Sequence, residues 1–191
     1  MGMPRLQDPI TTVEELLALP DDGLRHELLD GWHVVTPAPA LLHQRVVGEL
    51  LYALRTYLEG RSDLELFTSP ADVILGPRIL VQPDLFVARV PPGGRLQKWR
   101  DVGVPVLAIE ILSPGTAARD RGKKRLIYQR EGVAEYWIVD LDARLVERWT
   151  PGDERPAIAR ERLEWRAGGA GQRFALDVAA FFVLVLGEAE T

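Results

Sequence analysis

The sequence contains no cysteine and only three histidines, His26, His33 and His43. A disulfide framework, a thiolate nucleophile and a thiolate-bound zinc or iron–sulfur site are therefore excluded, and the composition suits a reducing cytosol. Positive charge is also scarce, with 23 basic against 28 acidic residues and a formal net charge of -5. Bulk attraction to DNA or to acidic membranes is thus lacking, and a polyanion has to be met by a local basic patch or a bound metal. Long hydrophobic runs are missing too: the longest, Val178 to Leu186, falls far short of the roughly 20 residues that span a bilayer. The first thirty residues bring acidic and polar side chains before any apolar run and do not read as a secretory signal. These features point to a soluble, cytoplasmic protein. No repeat, linker or low-complexity segment divides the 191 residues, so residues 1–191 are expected to form one domain, with the tail 150–191 packed on its body.

The hydrophobic pattern predicts an α/β fold. Thr12-Val-Glu-Glu15 is a capping box opening a short helix through Leu19, a small N-terminal lid that Pro20 follows. Leu24 to Leu29 and Trp32 to Thr36 flank Asp30-Gly31, a dipeptide that favours a two-residue hairpin turn. Between Ala40 and Gly60, apolar residues at Val46, Val47, Leu50, Leu51, Leu54 and Leu58 form the stripe of an amphipathic helix. Leu64 to Thr68, Ala71 to Leu75 and Ile79 to Ala88 read as strands, and Arg89 to Gly103 as a loop with a positive surface. Val104 to Leu112 has the near-continuous apolar pattern of a central strand. A helix from Ala117 to Glu131 closed by Gly132, then a strand from Glu135 to Asp140, complete a β-α-β crossover. Arg144 to Trp149 is expected to pair back on that strand, Pro151 to Gly171 is polar, and Phe174 to Leu186 forms a strand or a helix. The sum is a mixed sheet with helices on both sides.

Within this frame Glu110 stands alone in Val-Leu-Ala-Ile-Glu-Ile-Leu. A carboxylate on a core strand is costly unless it is paired, protonated or bound to a cation. Asp84 sits in a comparable apolar strand, just after Pro83, which removes a ladder donor and marks an edge or bend. If the two strands adjoin, the two acids can share a divalent cation such as Mg²⁺, which prefers hard oxygen ligands. Read alone, Glu110 is as well explained by a neighbouring arginine, and Asp84 by a turn hydrogen bond. Glu27, in the first hairpin, is a third acid or a solvated one. The helix after Glu110 carries Arg119, Arg121, Lys123, Lys124, Arg125 and Arg130 against Asp120. Asp120, Lys124 and Tyr128 share one helical face, which can aim an ammonium at the acids; such charge runs are otherwise solvated, and Tyr128 is otherwise core.

Several segments together resemble the bacterial Uma-two family of restriction endonuclease-like proteins, within the PD-(D/E)XK nuclease superfamily: Glu27-Leu-Leu-Asp-Gly31, His43, Pro83-Asp84, Glu110-Ile-Leu-Ser-Pro114, Asp120-Arg-Gly-Lys-Lys124 with Tyr128, and Gly132-Val-Ala-Glu-Tyr-Trp-Ile-Val-Asp140. The resemblance runs from about Thr12 to Trp149. It implies a restriction-endonuclease-like fold and a Mg²⁺-dependent (or Mn²⁺-dependent) endonuclease acting on DNA. Asp84 and Glu110 would hold the metal, with Glu27 an accessory acid and Lys124 the base or charge stabiliser, Lys123 being its alternative. His43, Asp120 and Tyr128 are supporting residues, and Arg119, Arg121, Lys123, Arg125 and the loop residue Lys98 are the expected phosphate contacts. The superfamily's lysine two residues after the glutamate is replaced here by Leu112, so the basic role passes to the following helix. A homodimer is the expectation for an enzyme of this class that cuts both strands. The rival is a non-catalytic nucleic-acid-binding or assembly module on the same scaffold, and a two-carboxylate glycosidase is a distant third.

Overall fold

Thr12 accepts the backbone N–H of Glu15, whose carboxylate accepts that of Thr12, and this reciprocal cap opens helix α1 (Val13–Leu17). Description of the chain rests on a computed structural model covering residues 9–36, 38–169 and 171–187. Strands β1 (Arg25–Leu29) and β2 (Trp32–Thr36) meet at Asp30 and Gly31, with φ of 54° and 83°. Positive φ at both positions is what a type I′ turn demands, and it gives the hairpin its right-handed twist. Helix α2 (Leu41–Tyr57) buries Val46, Leu50 and Leu54 as its stripe requires.

Strands β3 (Leu64–Thr68), β4 (Val73–Gly76), β5 (Ile79–Val81), β6 (Leu85–Arg89) and β7 (Leu107–Ile111) follow. The single strand expected from Ile79 to Ala88 is broken at Gln82-Pro83-Asp84. Pro83 has no N–H for a ladder, and the Gln82 N–H donates to Glu27 Oε1 at 2.8 Å instead of to a strand. The chain therefore leaves one sheet and enters another at Asp84, which lies at a bend rather than within a strand. The expected long helix is likewise composite. Helix α3 (Ala117–Arg119) runs through a π-helical turn, Asp120–Lys124, into α4 (Arg125–Arg130), and Gly132 follows with φ of 80°.

Strands β8 (Glu135–Asp140), β9 (Leu145–Trp149), β10 (Ala157–Ala159), β11 (Arg162–Trp165) and β12 (Phe174–Asp177) lead to helix α5 (Val178–Leu186). The polar stretch from Pro151 to Gly171 thus holds two short strands. They bury little more than Ala159, Leu163 and Trp165, too few apolar positions to set a period. The tail is both a strand and a helix.

Among the described residues the strands form a six-stranded sheet ordered β10-β9-β8-β7-β6-β3, a four-stranded sheet ordered β2-β1-β5-β4, and the pair β11-β12. Strands β7 and β8 run parallel, as the helical crossover requires, and the other neighbours in the large sheet run antiparallel. One face of that sheet, with Leu107, Ile109, Ile111, Trp137 and Val139, packs on α2 and α5. The other, with Phe86, Ala108, Tyr136 and Ile138, packs on Ile127 and Tyr128 of α4 and on the smaller sheet. Strand alternation puts Glu110 on this second face, a carboxyl in an otherwise apolar layer.

At the hairpin, a Cβ on Gly31 would collide with the Arg78 guanidinium, and its φ disfavours any L side chain. Gly31→Ala is expected to lower unfolding free energy by about 1 to 2 kcal/mol, read by urea denaturation; a loss under a few tenths would show that the turn relaxes freely.

Candidate active site

Four separate elements bring acidic side chains to one cleft of about 570 Å³. Glu27 arrives from β1, Asp84 from the bend between β5 and β6, Glu110 from β7 and Asp120 from the π turn; all four are buried. At their centre is Lys124, 1% exposed. Its ammonium lies 2.7 Å from Glu27 Oε1, 2.8 Å from Glu110 Oε1 and 4.0 Å from Asp120 Oδ1. The Tyr128 hydroxyl donates to the same Glu110 oxygen at 3.1 Å. Asp120 and Lys124, four residues apart on one face, are both buried in the π turn that joins α3 to α4.

Asp84 is fixed differently. Its Oδ2 accepts the Ile111 backbone N–H at 2.8 Å, across the β6–β7 pairing. Oδ1 meets Arg25 Nη1 at 3.1 Å and His43 Nε2 at 3.2 Å. Strand β6, which starts just after Asp84, adjoins β7, which bears Glu110, and His43, in the first turn of α2, touches the cleft as a support for Asp84. Glu27 Oε2 and Asp120 Oδ1 are buried without a hydrogen-bond partner.

The electrostatics follow from this crowding. Burial alone would strip the Lys124 proton, but Glu110, Glu27 and Asp120 outweigh it and hold the ammonium above its usual range. Burial pushes the Glu110 carboxyl well above its ordinary value, and neighbouring Asp84, Asp120 and Glu27 push it further, with Lys124 opposing. Asp120 is raised chiefly by burial. Burial also raises Asp84, yet the His43 hydrogen bond, the Ile111 N–H and Arg25 together bring it below the usual carboxylate range. Around the cleft the acids Glu27, Asp84, Glu110, Asp120, Asp140 and Asp142 outnumber the permanent cations Arg25, Arg119, Arg121 and Lys124, and the surplus favours either a proton on Glu110 or an added cation.

Of the expected phosphate contacts, Arg119 lines the cleft and donates to Thr36 Oγ1 at 3.0 Å. Arg121 also reaches it but is committed to ion pairs with Asp140 and Glu147. Lys123 covers the Trp32 ring and Arg125 the Trp149 ring, at 5.1 and 4.6 Å from the centroids, and neither lines the cleft. Lys98 borders a different depression, with Phe67, Asp72 and Trp99. Sequence reasoning missed Arg25 and Asp140. Both carried a signal: Arg25 is two residues before Glu27 and so shares its strand face, and Asp140 ends the strand parallel to that of Glu110.

Among the described residues no three His, Asp or Glu side chains form a ready metal-binding group. The donors on offer are nonetheless hard carboxylate oxygens, the type that Mg²⁺ and Mn²⁺ take, and the partnerless Glu27 Oε2 marks a place where a cation would be satisfied.

Comparison with known proteins settles the lineage. The model of the family Uma2, described as "putative restriction endonuclease", matches residues 13–170. The chain belongs to the Uma2 family. No curated protein matches the sequence. Among solved structures, the chain is similar to the crystal structure of a "putative nuclease belonging to DUF820" from Anabaena variabilis, over 91% of this chain and 98% of that one, at a TM-score of 0.74 and 19% identity. That likeness shows a shared fold. In this Uma2 chain, Leu112, two residues after Glu110, packs against the apolar cluster, and the ammonium beside Glu110 comes from Lys124.

Removing Lys124 leaves two buried carboxyls without their shared partner. Lys124→Met is expected to cost about 3 to 5 kcal/mol of stability, and adding Glu27→Gln and Glu110→Gln to return part of it. Chemical denaturation of the variants checks this; a Lys124→Met protein as stable as wild type would contradict the central role of the ammonium.

Proposed function

We propose that the protein is a metal-dependent endonuclease that hydrolyses DNA phosphodiester bonds, using Mg²⁺ or Mn²⁺ held by Asp84 and Glu110. The observation that carries this reading is the convergence of Glu27 and Glu110 on Lys124, with Asp84 lining the same cleft and guanidinium groups beside them. Membership of a restriction-endonuclease-like family supports it.

A bound divalent cation would polarise the phosphodiester and acidify a water molecule. The chain's own residues would do the rest. An ammonium clamped between two carboxylates is a poor base, so Lys124 acts by stabilising charge on the phosphate oxygens. Glu27 holds Lys124 in place from β1, and Tyr128 does the same for Glu110. The Ile111 N–H and His43 fix the Asp84 carboxylate. Arg25 and Arg119 are the cleft groups placed to meet phosphate, and their contacts position the strand without reading its sequence. These guanidiniums, together with a divalent cation on the carboxylates, would reconcile an acid-rich cleft with a polyanionic substrate.

One observation favours the rival, a nucleic-acid-binding module without turnover: Asp84, Glu27 and Glu110 already have cationic partners from within the chain, in Arg25 and Lys124. Nicking of supercoiled plasmid separates the two. Glu110→Gln and Asp84→Asn are expected to cut Mg²⁺-dependent nicking by at least about a hundredfold while duplex binding in EDTA stays within about threefold. Equal nicking by wild type and both variants would place the activity elsewhere, and duplex binding without nicking by any form would favour the module.

A further inference from the structure

Asp84 has its two oxygens in unequal positions. Oδ2 is bound by the Ile111 backbone N–H, which sets the plane of the carboxylate. Oδ1 is the oxygen met by the cleft residues Arg25 and His43. Arg25 reaches it from β1, donating also to the Gln82 carbonyl, while its Nε is buried without a hydrogen-bond partner. The guanidinium is therefore charged, held by few of its donors, and 16% exposed on its side chain, with a way out to the cleft.

We infer that Arg25 is the resident counter-ion of Asp84, that it competes with a divalent cation for Asp84 Oδ1, and that it moves onto a substrate phosphate once displaced. The inference rests on the nuclease reading above and adds the regulation of that site. Two facts of chemistry support it. A guanidinium and a divalent cation on one carboxylate oxygen stand close enough to repel strongly in a cleft of low dielectric. The planar fork of arginine matches two phosphate oxygens at once, and release of Asp84 Oδ1 would free the Nη1 donor for a phosphate in the cleft. In this scheme Asp84 keeps a charged partner before the metal arrives, and the metal's arrival frees a cation at the place where phosphate must be held. Arg25 is then a positioning residue toward the metal and a binding residue toward the substrate.

Calorimetric titration of Mn²⁺ at fixed ionic strength, without DNA, tests it. Wild type, Arg25→Gln, Arg119→Gln and Glu110→Gln are compared, with thermal melting to establish that each is folded. Arg119 is a cleft guanidinium bonded to Thr36 and not to Asp84, so it reports the general effect of losing one positive charge. The expected result is about tenfold tighter Mn²⁺ binding in Arg25→Gln, a change of under about threefold in Arg119→Gln, and loss of binding in Glu110→Gln. Should Arg25→Gln fail to fold, Arg25→Lys keeps the charge but loses the fork, and a severalfold tightening is expected. Glu110-dependent binding of equal strength in wild type and folded Arg25 variants would overturn the inference and leave the nuclease reading standing, as would equal tightening in Arg119→Gln. No Mn²⁺ binding in any form would overturn both.

Discussion

A single buried ammonium ties together parts of the chain that are distant in sequence. Lys124 is anchored on the crossover helix, yet its partners are Glu27 in the small sheet and Glu110 in the large one. The small sheet, the large sheet and the helix between β7 and β8 thus meet at one charged point inside an apolar layer. Burying an ammonium is tolerable only where carboxylates surround it, and burying those carboxylates is tolerable only with the ammonium. Each group makes the others affordable, and the arrangement exists only when all three elements are in register. The π turn belongs to the same constraint, since it presents both Asp120 and Lys124 inward.

Much of this was legible in the sequence. The Asp30-Gly31 turn, the α2 stripe, the buried β7 strand and the parallel crossover follow from local rules of turn chemistry and periodicity. The lone Glu110 in an apolar strand was legible for a stronger reason: such a residue has no inexpensive explanation, so it points at its own compensation. Helix phase pointed to Lys124, which shares a face with Asp120 and Tyr128, over its neighbour Lys123, and in the structure Lys124 is the lysine that is buried against the acids. Pro83 marked an edge or bend, but the change of sheet there was not legible, because β5 and β6 are both apolar and nothing in hydropathy says that they serve different sheets. Arg25 was overlooked as an ordinary charged residue at a strand end; its partner lies 59 residues away, beyond any periodic pattern.

The basic run from Arg119 to Arg125 illustrates how charge in a sequence differs from charge on a surface. Arg121 is occupied by Asp140 and Glu147, and Arg125 lies over Trp149 with its fork on Gln129. Arg121 and Arg125 brace the helix against β8 and β9, Lys123 lies over Trp32 of β2, and the guanidiniums that the cleft offers to phosphate, Arg119 and Arg25, come from helix α3 and strand β1. An acidic protein can therefore hold individual guanidinium groups at a cleft without carrying a basic face.

The bend at Gln82-Pro83-Asp84 has one more consequence. Glu27 accepts from the Gln82 N–H and Asp84 accepts from the Ile111 N–H, so these three residues span two sheets with no slack. An inserted or deleted residue there would reverse the side-chain alternation of one sheet relative to the other. Loops elsewhere can vary in length at the surface; this short crossing is a fixed spacer whose residue count is itself part of the cleft's geometry.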